Sequence, residues 1–142
     1  AENVADIGCG TAVLAMAAAR IWGRPLLASD IDAVAVEVAE ANVAANGLSG
    51  QVRCLVAAGF DQPILKRAAP FDLVFANILM GPLIDLAPDM AVHVAPGGRA
   101  ILSGLLTDQA GKVIAAYDAV GFDVEVRAEI DVWATLTLRR RG

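Results

Sequence analysis

Short apolar runs alternate along the chain with longer segments in which apolar residues recur every three or four positions. The short runs predict five strands, the first starting at Val4 and the others over residues 26–29, 52–56, 71–76 and 99–103. The periodic segments predict helices over residues 11–21, 33–45, 78–94 and 107–120. Two β-patterned runs, 122–128 and 132–138, close the chain, and their short connection predicts an antiparallel pair.

Local signals refine these boundaries. Asp32 and Thr107 are predicted to cap the second and last helices, and Gly121 to end the last one. Pro82 and Pro88 predict that segment 78–94 forms two short helices. In the second helix one apolar face is expected, with Glu37 and Glu40 turned away; its residues are Val34, Val38, Ala41 and Ala45. The stretch after the third strand, which contains Asp61 and Pro63, is predicted to be a loop.

This alternation predicts an α/β fold. Successive strand–helix units form a parallel sheet with right-handed crossovers and helices on both faces. Ligands of such sheets bind at the carboxyl ends of the strands, near the switch in strand order. Polar residues stand at three of those ends: the segment from Asp6 to Gly10, then Asp30, then Asn77.

The segment from Val4 to Ala12 reads as a strand, a tight loop and a helix start. Gly8 and Gly10 allow the backbone to approach a ligand closely and to adopt positive φ. Asp30 follows Gly10 by twenty residues, the offset at which an acid holds ribose hydroxyls in nucleotide-type βαβ units. Together the loop and the acid predict a site for an adenosine-containing cofactor.

The choice of cofactor depends on two residues near the loop. A dinucleotide fingerprint requires a third glycine at position 13, where this chain has Val13. Asp6 would repel a pyrophosphate but suits a cationic ammonium group. S-adenosylmethionine has an ammonium and no phosphate, so it is the favoured cofactor. The loop D-x-G-x-G resembles the first motif of the class I methyltransferases, in which a glycine usually stands where this chain has Ala12, whose methyl is expected to weaken binding.

Size and composition exclude several other classes. The 142 residues fit one domain, and no apolar run reaches the length of a membrane span. A net charge of −5 argues against a nucleic-acid-binding surface, and the basic run 139–141 is expected to be a solvated tail. The chain has no initiator Met and no charged region before its first apolar run, so we expect a piece of a longer protein without a signal peptide.

The cysteines and the histidine offer little chemistry. Two cysteines, Cys9 and Cys54, make no disulfide framework and fit a reducing cytoplasm. Cys9 lies in the glycine loop, but no base adjoins it in sequence, which disfavours a nucleophile. His93 is expected to be structural or exposed, and no metal site is expected.

Four longer strings together resemble one family, the methyltransferase that modifies large-subunit ribosomal protein eleven. They are DIGCGTAVLAMAAA, DIDAVAVEVAEANVAANG, FDLVFANIL and LAPDMAVHVAPGGRAILSGLL, followed by a closing Gly-Phe, Trp and Leu pattern. Ala76-Asn77-Ile78-Leu79 is the strongest marker, because most amino-group methyltransferases of this class have Asn-Pro-Pro-aromatic there. The resemblance implies a Rossmann-like, mostly parallel seven-stranded sheet with a C-terminal antiparallel hairpin.

The resemblance also implies roles for individual residues. Asp6, Gly8, Gly10, Asp30 and Ile31 would line the S-adenosylmethionine pocket. Asn77 would meet the methyl-accepting amine, with Ile78 and Leu79 forming an apolar mouth around it. The acceptors would be lysine side chains and the N-terminal amine of a large-subunit ribosomal protein. The family's N-terminal recognition domain is absent from this chain.

Three alternatives remain open at this point. A nicotinamide-dependent oxidoreductase would use the same fold, although Val13 and Asp6 count against it. A non-catalytic cofactor-binding remnant is compatible with Ala12. A small-molecule amine methyltransferase would keep the chemistry and change the acceptor. Nothing in the sequence determines the oligomeric state or the number of methyl groups added.

Overall fold

Seven strands form one mixed sheet in a computed structural model that describes residues 3–142. They are β1 (Val4–Ile7), β2 (Leu26–Asp30), β3 (Val52–Val56), β4 (Phe71–Asn77), β5 (Val94–Leu106), β6 (Phe122–Ile130) and β7 (Trp133–Arg140). Their order across the sheet is β3-β2-β1-β4-β5-β7-β6. The first five pair in parallel, and β7 runs antiparallel to both β5 and β6. The predicted α/β sheet with a closing hairpin is therefore confirmed.

Five helices cover the sheet: α1 (Val13–Trp22), α2 (Ala33–Ala45), α3 (Pro63–Ala68), α4 (Met80–His93) and α5 (Ala110–Asp118). Two buried clusters show that they lie on both faces. Small residues of α1 and α2, such as Ala15 and Ala39, pack on one side of the strands. Larger residues of α3, α4 and α5, such as Leu65, Met90 and Tyr117, pack on the other. None of the helices among the described residues is long and apolar enough to cross a membrane.

Segment 78–94 contains one helix, so the predicted division into two was wrong. Pro82 lies in the first turn of α4, where the backbone N–H has no helical partner to lose. Pro88 lies inside the helix, at the cost of one hydrogen bond. Four buried side chains hold that helix against the sheet: Leu83, Leu86, Ala87 and Met90. Tyr117 of α5 adds a hydrogen bond from its hydroxyl to the Leu83 carbonyl oxygen at 2.8 Å.

Four other expectations also need correction. The predicted loop after β3 contains α3, which begins with Pro63 and is capped by the Gln62 side chain. Strand β5 is much longer than 99–103, and α5 begins three residues after Thr107, whose backbone N–H instead donates to Val132. The buried face of α2 consists of Val36, Ala39 and Val43. All four residues predicted for that face are instead exposed: Val34, Val38, Ala41 and Ala45. Asp32 does cap α2, because its Oδ1 accepts the Val34 backbone N–H at 2.9 Å.

The parallel topology brings the carboxyl ends of β1, β2, β3 and β4 to one edge of the sheet. Strand order reverses between β1 and β4, which are direct neighbours with Ile7 opposite Ala76. A crevice opens at such a switch point because the crossovers leave it towards opposite faces. The residues that follow β1 and β4 therefore face each other at this edge.

Candidate active site

The glycine loop after β1 is held by backbone hydrogen bonds to β2. The backbone N–H groups of Gly8 and Cys9 both donate to the Ser29 carbonyl oxygen, each at 2.8 Å. Gly8 and Gly10 have φ of 73° and 54°, a region that favours glycine. The predicted strand, loop and helix start are thus present, with the two glycines in the conformation that the prediction required.

Asp30 connects this loop to the start of α2. One carboxylate oxygen accepts the Gly10 backbone N–H at 3.0 Å, and the other accepts the Asp32 backbone N–H at 3.0 Å. Each oxygen keeps a further lone pair, because an ionised carboxylate has about four acceptor positions. Asp30 can therefore order the loop and still accept hydroxyl groups from a ligand in the crevice.

Asp6 is the most unusual polar group of the site. It is only 1% exposed, and neither carboxylate oxygen has a hydrogen-bond partner among the described residues. Burial raises its pKa to about 7. The Ala15 backbone N–H lies towards the carboxyl group without reaching hydrogen-bond geometry and lowers the pKa by a smaller amount, and repulsion from Asp30 raises it further. A buried carboxylate without a partner is costly, so this position favours a ligand that brings positive charge or a hydrogen-bond donor.

Cys9 lies in the glycine loop, but its thiol is not reactive. Burial raises the pKa of the Cys9 thiol to about 12, with further contributions from Asp6, Cys54 and Asp30. Cys9 is therefore a neutral thiol near pH 7 and a poor nucleophile.

Ala12 adopts a left-handed conformation with φ of 68° at the N-cap of α1. Its side chain is fully buried in the cluster that α1 and α2 form against the sheet.

Two adjoining cavities lie at the carboxyl edge, and both are lined by Gly8. The larger, which we call the crevice, has a volume of about 690 Å³ and is bounded by the ends of β1, β2, β3 and β4 and by α4. The smaller, which we call the loop pocket, has a volume of about 220 Å³ and is lined by the glycine loop, the start of α1 and Asn77.

All eight residues predicted for the site line one of these two cavities. Gly8, Asp30, Ile31, Ile78 and Leu79 line the crevice. Asp6, Gly10 and Asn77, together with Gly8, line the loop pocket. Residues far apart in the sequence are thus brought within one continuous surface, as expected for strand ends at a switch point.

Part of the crevice wall was not predicted from the sequence. Ala57, Ala58 and Gly59 line it immediately after β3, and Asp85 and Asp89 line it from α4. The carboxyl end of β3 lies at the same edge of the sheet as the ends of β1, β2 and β4. The rule that ligands bind at the carboxyl ends of parallel strands therefore also predicts the residues after β3. The α4 residues could not be found that way, because their position depends on how the helix packs.

His93 has a structural position, as expected. Its ring stacks on Phe60 at a centroid distance of 4.3 Å, and its Nδ1 donates to the Asp89 carbonyl oxygen at 2.7 Å.

A larger groove of about 930 Å³ lies elsewhere, at the opposite ends of β1, β2 and β3, lined by Asn3, Leu26 and Gln51 among others. None of the predicted site residues lines it, so its size alone does not make it the functional site.

A family model described as ribosomal protein L11 methyltransferase (PrmA) matches residues 1–141. The chain belongs to this family. The match covers nearly the whole chain, and the family is the one that the four sequence strings resemble. The Rossmann-like methyltransferase fold predicted from that resemblance is confirmed.

Curated relatives agree with this assignment. A ribosomal protein L11 methyltransferase of Bradyrhizobium diazoefficiens is 53% identical over 141 residues, covering 99% of this chain and 48% of the relative. Another from a Chelativorans species is 49% identical over 139 residues, covering 98% of this chain and 48% of the relative. The chain thus spans about half the length of the curated relatives it matches.

A solved structure is similar over the same extent. The crystal structure of a ribosomal protein L11 methylase from Lactobacillus delbrueckii subsp. bulgaricus superposes with a TM-score of 0.90 at 30% sequence identity. The superposition covers 99% of this chain and 70% of that chain. The complete sheet and its helices are therefore common to both proteins.

Proposed function

We propose that this chain binds S-adenosylmethionine at the carboxyl edge and transfers its methyl group to amines of a large-subunit ribosomal protein. The observation that supports this most is Asp6, a buried carboxylate without a partner beside the glycine loop. A dinucleotide would place a pyrophosphate near this acid, whereas the ammonium of S-adenosylmethionine would supply the missing positive charge. Membership in the methyltransferase family supports the same choice.

Five residues would hold the cofactor. Asp6 would face its ammonium group, and the Gly8 and Gly10 backbone would lie against its methionine part. Asp30 would accept ribose hydroxyls with the lone pairs left free by its two backbone hydrogen bonds. Ile31, which is 72% exposed at the crevice, would cover an apolar surface of the adenosine. When bound, S-adenosylmethionine supplies a methyl carbon that an amine nitrogen can take as the carbon–sulfur bond breaks.

The acceptor amine must reach the site without its proton. A lysine amine has a pKa near 10.4, so about one in a thousand is neutral at pH 7.4, a cost of about 4 kcal/mol. An apolar mouth disfavours the ammonium form and offsets part of this cost. Ile78 and Leu79 would form that mouth, and Leu79 is 75% exposed at the crevice.

Asn77 would orient the acceptor. It ends β4, directly across the switch point from β1, and its side chain lines the loop pocket. Its carboxamide oxygen would accept an N–H of the amine and direct the nitrogen lone pair towards the methyl group. Such positioning supplies most of the rate where no matched general base is required. Aliphatic neighbours would leave room for an amine that is already methylated, so repeated transfer is expected.

The rest of the polypeptide would recognise the substrate. A net charge of −5 favours encounter with a basic protein but does not fix its orientation. The family resemblance implies an N-terminal recognition domain outside this chain. Joining that domain to this one would raise the effective concentration of the substrate at the crevice.

Mass spectrometry of the ribosomal protein after incubation with S-adenosylmethionine tests the proposal. Three polypeptides are compared: this chain alone, this chain joined to the remaining half of the Bradyrhizobium relative, and the joined form with Asn77→Ala. We expect efficient methylation only by the unaltered joined form, and turnover about a hundredfold lower for Asn77→Ala, as for lost positioning. Asn46→Ala, a change on the exposed end of α2, is the control and should leave turnover unchanged.

Three outcomes would contradict parts of the proposal. Equal methylation by the chain alone would show that it recognises the ribosomal protein unaided. Turnover of Asn77→Ala within a few-fold of the unaltered protein would make Asn77 a turn residue only. Methylation of small amines but not of the ribosomal protein would change the acceptor class.

A further inference from the structure

Gly104 lies at an irregularity of β5, next to the end of β4. The register between β5 and β7 shifts between Leu102 and Leu105, so Ser103 and Gly104 form a bulge. Ser103 is opposite Asn77 in the pairing of β5 with β4. Gly104 has φ of 80°, a conformation that side-chain-bearing residues rarely adopt. A bulge of this kind changes the direction of the chain beside the candidate site.

The space beside Gly104 is filled by Asn77. A Cβ at Gly104 would lie 2.6 Å from the Asn77 carboxamide oxygen, 3.7 Å from its Cγ and 3.4 Å from the Ile78 carbonyl oxygen. The first of these distances is far below van der Waals contact. The Asn77 oxygen therefore occupies space that is free only because residue 104 is a glycine.

Nothing else in the described residues fixes the Asn77 carboxamide. Among residues 3–142 no hydrogen bond to its side chain is present, and the residue is exposed. A free carboxamide on an exposed side chain can rotate at little cost. In the absence of such a bond its orientation depends on the space open to it, and part of that space lies beside Gly104.

We propose that Gly104 is a positioning residue for methyl transfer, which sets the orientation of the Asn77 carboxamide by leaving space for its oxygen. This inference rests on the proposed function, in which Asn77 orients the acceptor amine. Any side chain at position 104 displaces that oxygen. The acceptor nitrogen then loses its alignment while the cofactor-binding residues on β1 and β2 stay in place.

Gly97 provides a matched control on the same strand. Its φ is 77°, close to that of Gly104, so alanine is strained by a similar amount at both positions. Among the residues that the structure describes, a Cβ at Gly97 would meet only the Arg139 Nη2 atom, at 3.5 Å, which is ordinary contact with a flexible side chain. The difference between Gly104→Ala and Gly97→Ala therefore isolates the effect on Asn77 from the effect of backbone strain.

The kinetic test uses the joined polypeptide. Gly104→Ala should lower turnover about tenfold to a hundredfold, as for a displacement of about 1 Å at a reacting group. The dissociation constant for S-adenosylhomocysteine should stay within about threefold, and Gly97→Ala should change neither quantity by more than a few-fold. In the Asn77→Ala background, Gly104→Ala should have little further effect on turnover, because the group it displaces is gone. Equal loss in both backgrounds would overturn the proposal.

A second test does not require activity. In a ¹⁵N-resolved spectrum of this chain, Gly104→Ala should shift the side-chain NH₂ signals of Asn77, whereas Gly97→Ala should leave them in place. Unshifted signals would overturn the inference. If Asn77→Ala retains turnover while Gly104→Ala still shifts these signals, the proposed role of Asn77 fails and the contact stands.

A stability measurement covers the case in which Gly104→Ala does not fold. Asn77→Ala removes both the oxygen and the Cγ that the new methyl would meet. The double variant should therefore fold and be more resistant to urea than Gly104→Ala alone. A double variant that is no more stable would show that Gly104 does not act through Asn77.

Discussion

Ile78 packs directly on Gly8, so that a Cβ added to Gly8 would lie 2.3 Å from Ile78 Cγ2. This contact joins the glycine loop after β1 to the residue that follows β4. The contact lies where the two cavities meet, because Gly8 lines both and Ile78 lines the crevice. Glycine at this position is thus required for two reasons, its positive φ and the close approach of a branched side chain.

Gly8→Ala should destabilise the fold more than Gly10→Ala. Both residues have positive φ, so alanine costs about 1–2 kcal/mol at either position. Only the Gly8 variant also meets Ile78, and forcing a methyl into filled space adds about 1–3 kcal/mol. Urea unfolding of both variants measures the difference. If Ile78→Ala does not reduce the cost of Gly8→Ala, the contact is not its source.

Asp30→Ala should weaken binding of S-adenosylhomocysteine by roughly 1.5–3 kcal/mol, as for hydrogen bonds to a charged group. The structure adds a second effect, because the same change frees the Gly10 and Asp32 backbone N–H groups. Asp32→Ala is the matched control: it removes the cap of α2 but no residue that lines the crevice. Calorimetry should show normal affinity for Asp32→Ala. A loss below about threefold for Asp30→Ala, with the fold intact by circular dichroism, would remove Asp30 from the site.

The raised pKa of Asp6 predicts how stability depends on pH. Its folded-state pKa is about 7 and its ordinary value is 3.8, so the fold favours the protonated form. The free energy of unfolding should therefore fall as the pH rises from about 4 to about 7, by on the order of 2–4 kcal/mol from this group. Asp6→Asn should remove this fall. Urea unfolding at pH 5 and pH 8 measures it, and equal pH dependence in both proteins would contradict the assignment.

Binding should have the opposite dependence on pH. A ligand with an ammonium group favours ionised Asp6, so affinity for S-adenosylhomocysteine should fall by about tenfold per pH unit below 7. In Asp6→Asn the affinity should be lower at pH 8 and nearly independent of pH. An unaltered slope in that variant would show that another group is responsible.

Ala12→Gly should change little, although this position differs from the usual glycine of the motif. Glycine relieves the strain of the left-handed conformation at position 12, which adds about 1–2 kcal/mol to the free energy of unfolding. Loss of a buried methyl, about 0.8 kcal/mol, and the greater freedom of an unfolded glycine, about 0.4–1 kcal/mol, oppose it. Because Ala12 is buried and lines neither cavity, affinity for S-adenosylhomocysteine should also stay within about threefold. A tenfold gain would show that Ala12 does obstruct the cofactor.

Strand ends were predictable from the sequence, and contacts between them were not. Asp6, Asp30 and Asn77 could be placed at one edge because parallel topology brings the carboxyl ends of strands together. The single helix α4 could not be predicted, because buried residues such as Leu83 and Met90 outweigh the interruption at Pro88. The short helix α3 begins at Pro63, and the sequence does not distinguish a proline that starts a helix from one that lies in a loop.

The finest features of the site depend on distances that no sequence pattern encodes. Both glycines of the loop were identified, but the contact of Gly8 with Ile78 requires the packing of β1 against β4. Gly104 was not singled out, because its role depends on a register shift in β5. The buried state of Asp6 follows likewise from its strand and helix neighbours and not from its position in the motif.

Calorimetric titration of this chain with S-adenosylhomocysteine, and separately with NAD, tests the central claim most directly. The sheet and all proposed cofactor-binding residues lie within the chain, so it should bind alone. We predict saturable binding of S-adenosylhomocysteine at one site, weakened by Asp30→Ala, and no saturable heat with NAD. A folded chain that binds NAD, or that does not bind S-adenosylhomocysteine, would contradict the assignment of the carboxyl edge as a methyl-transfer site.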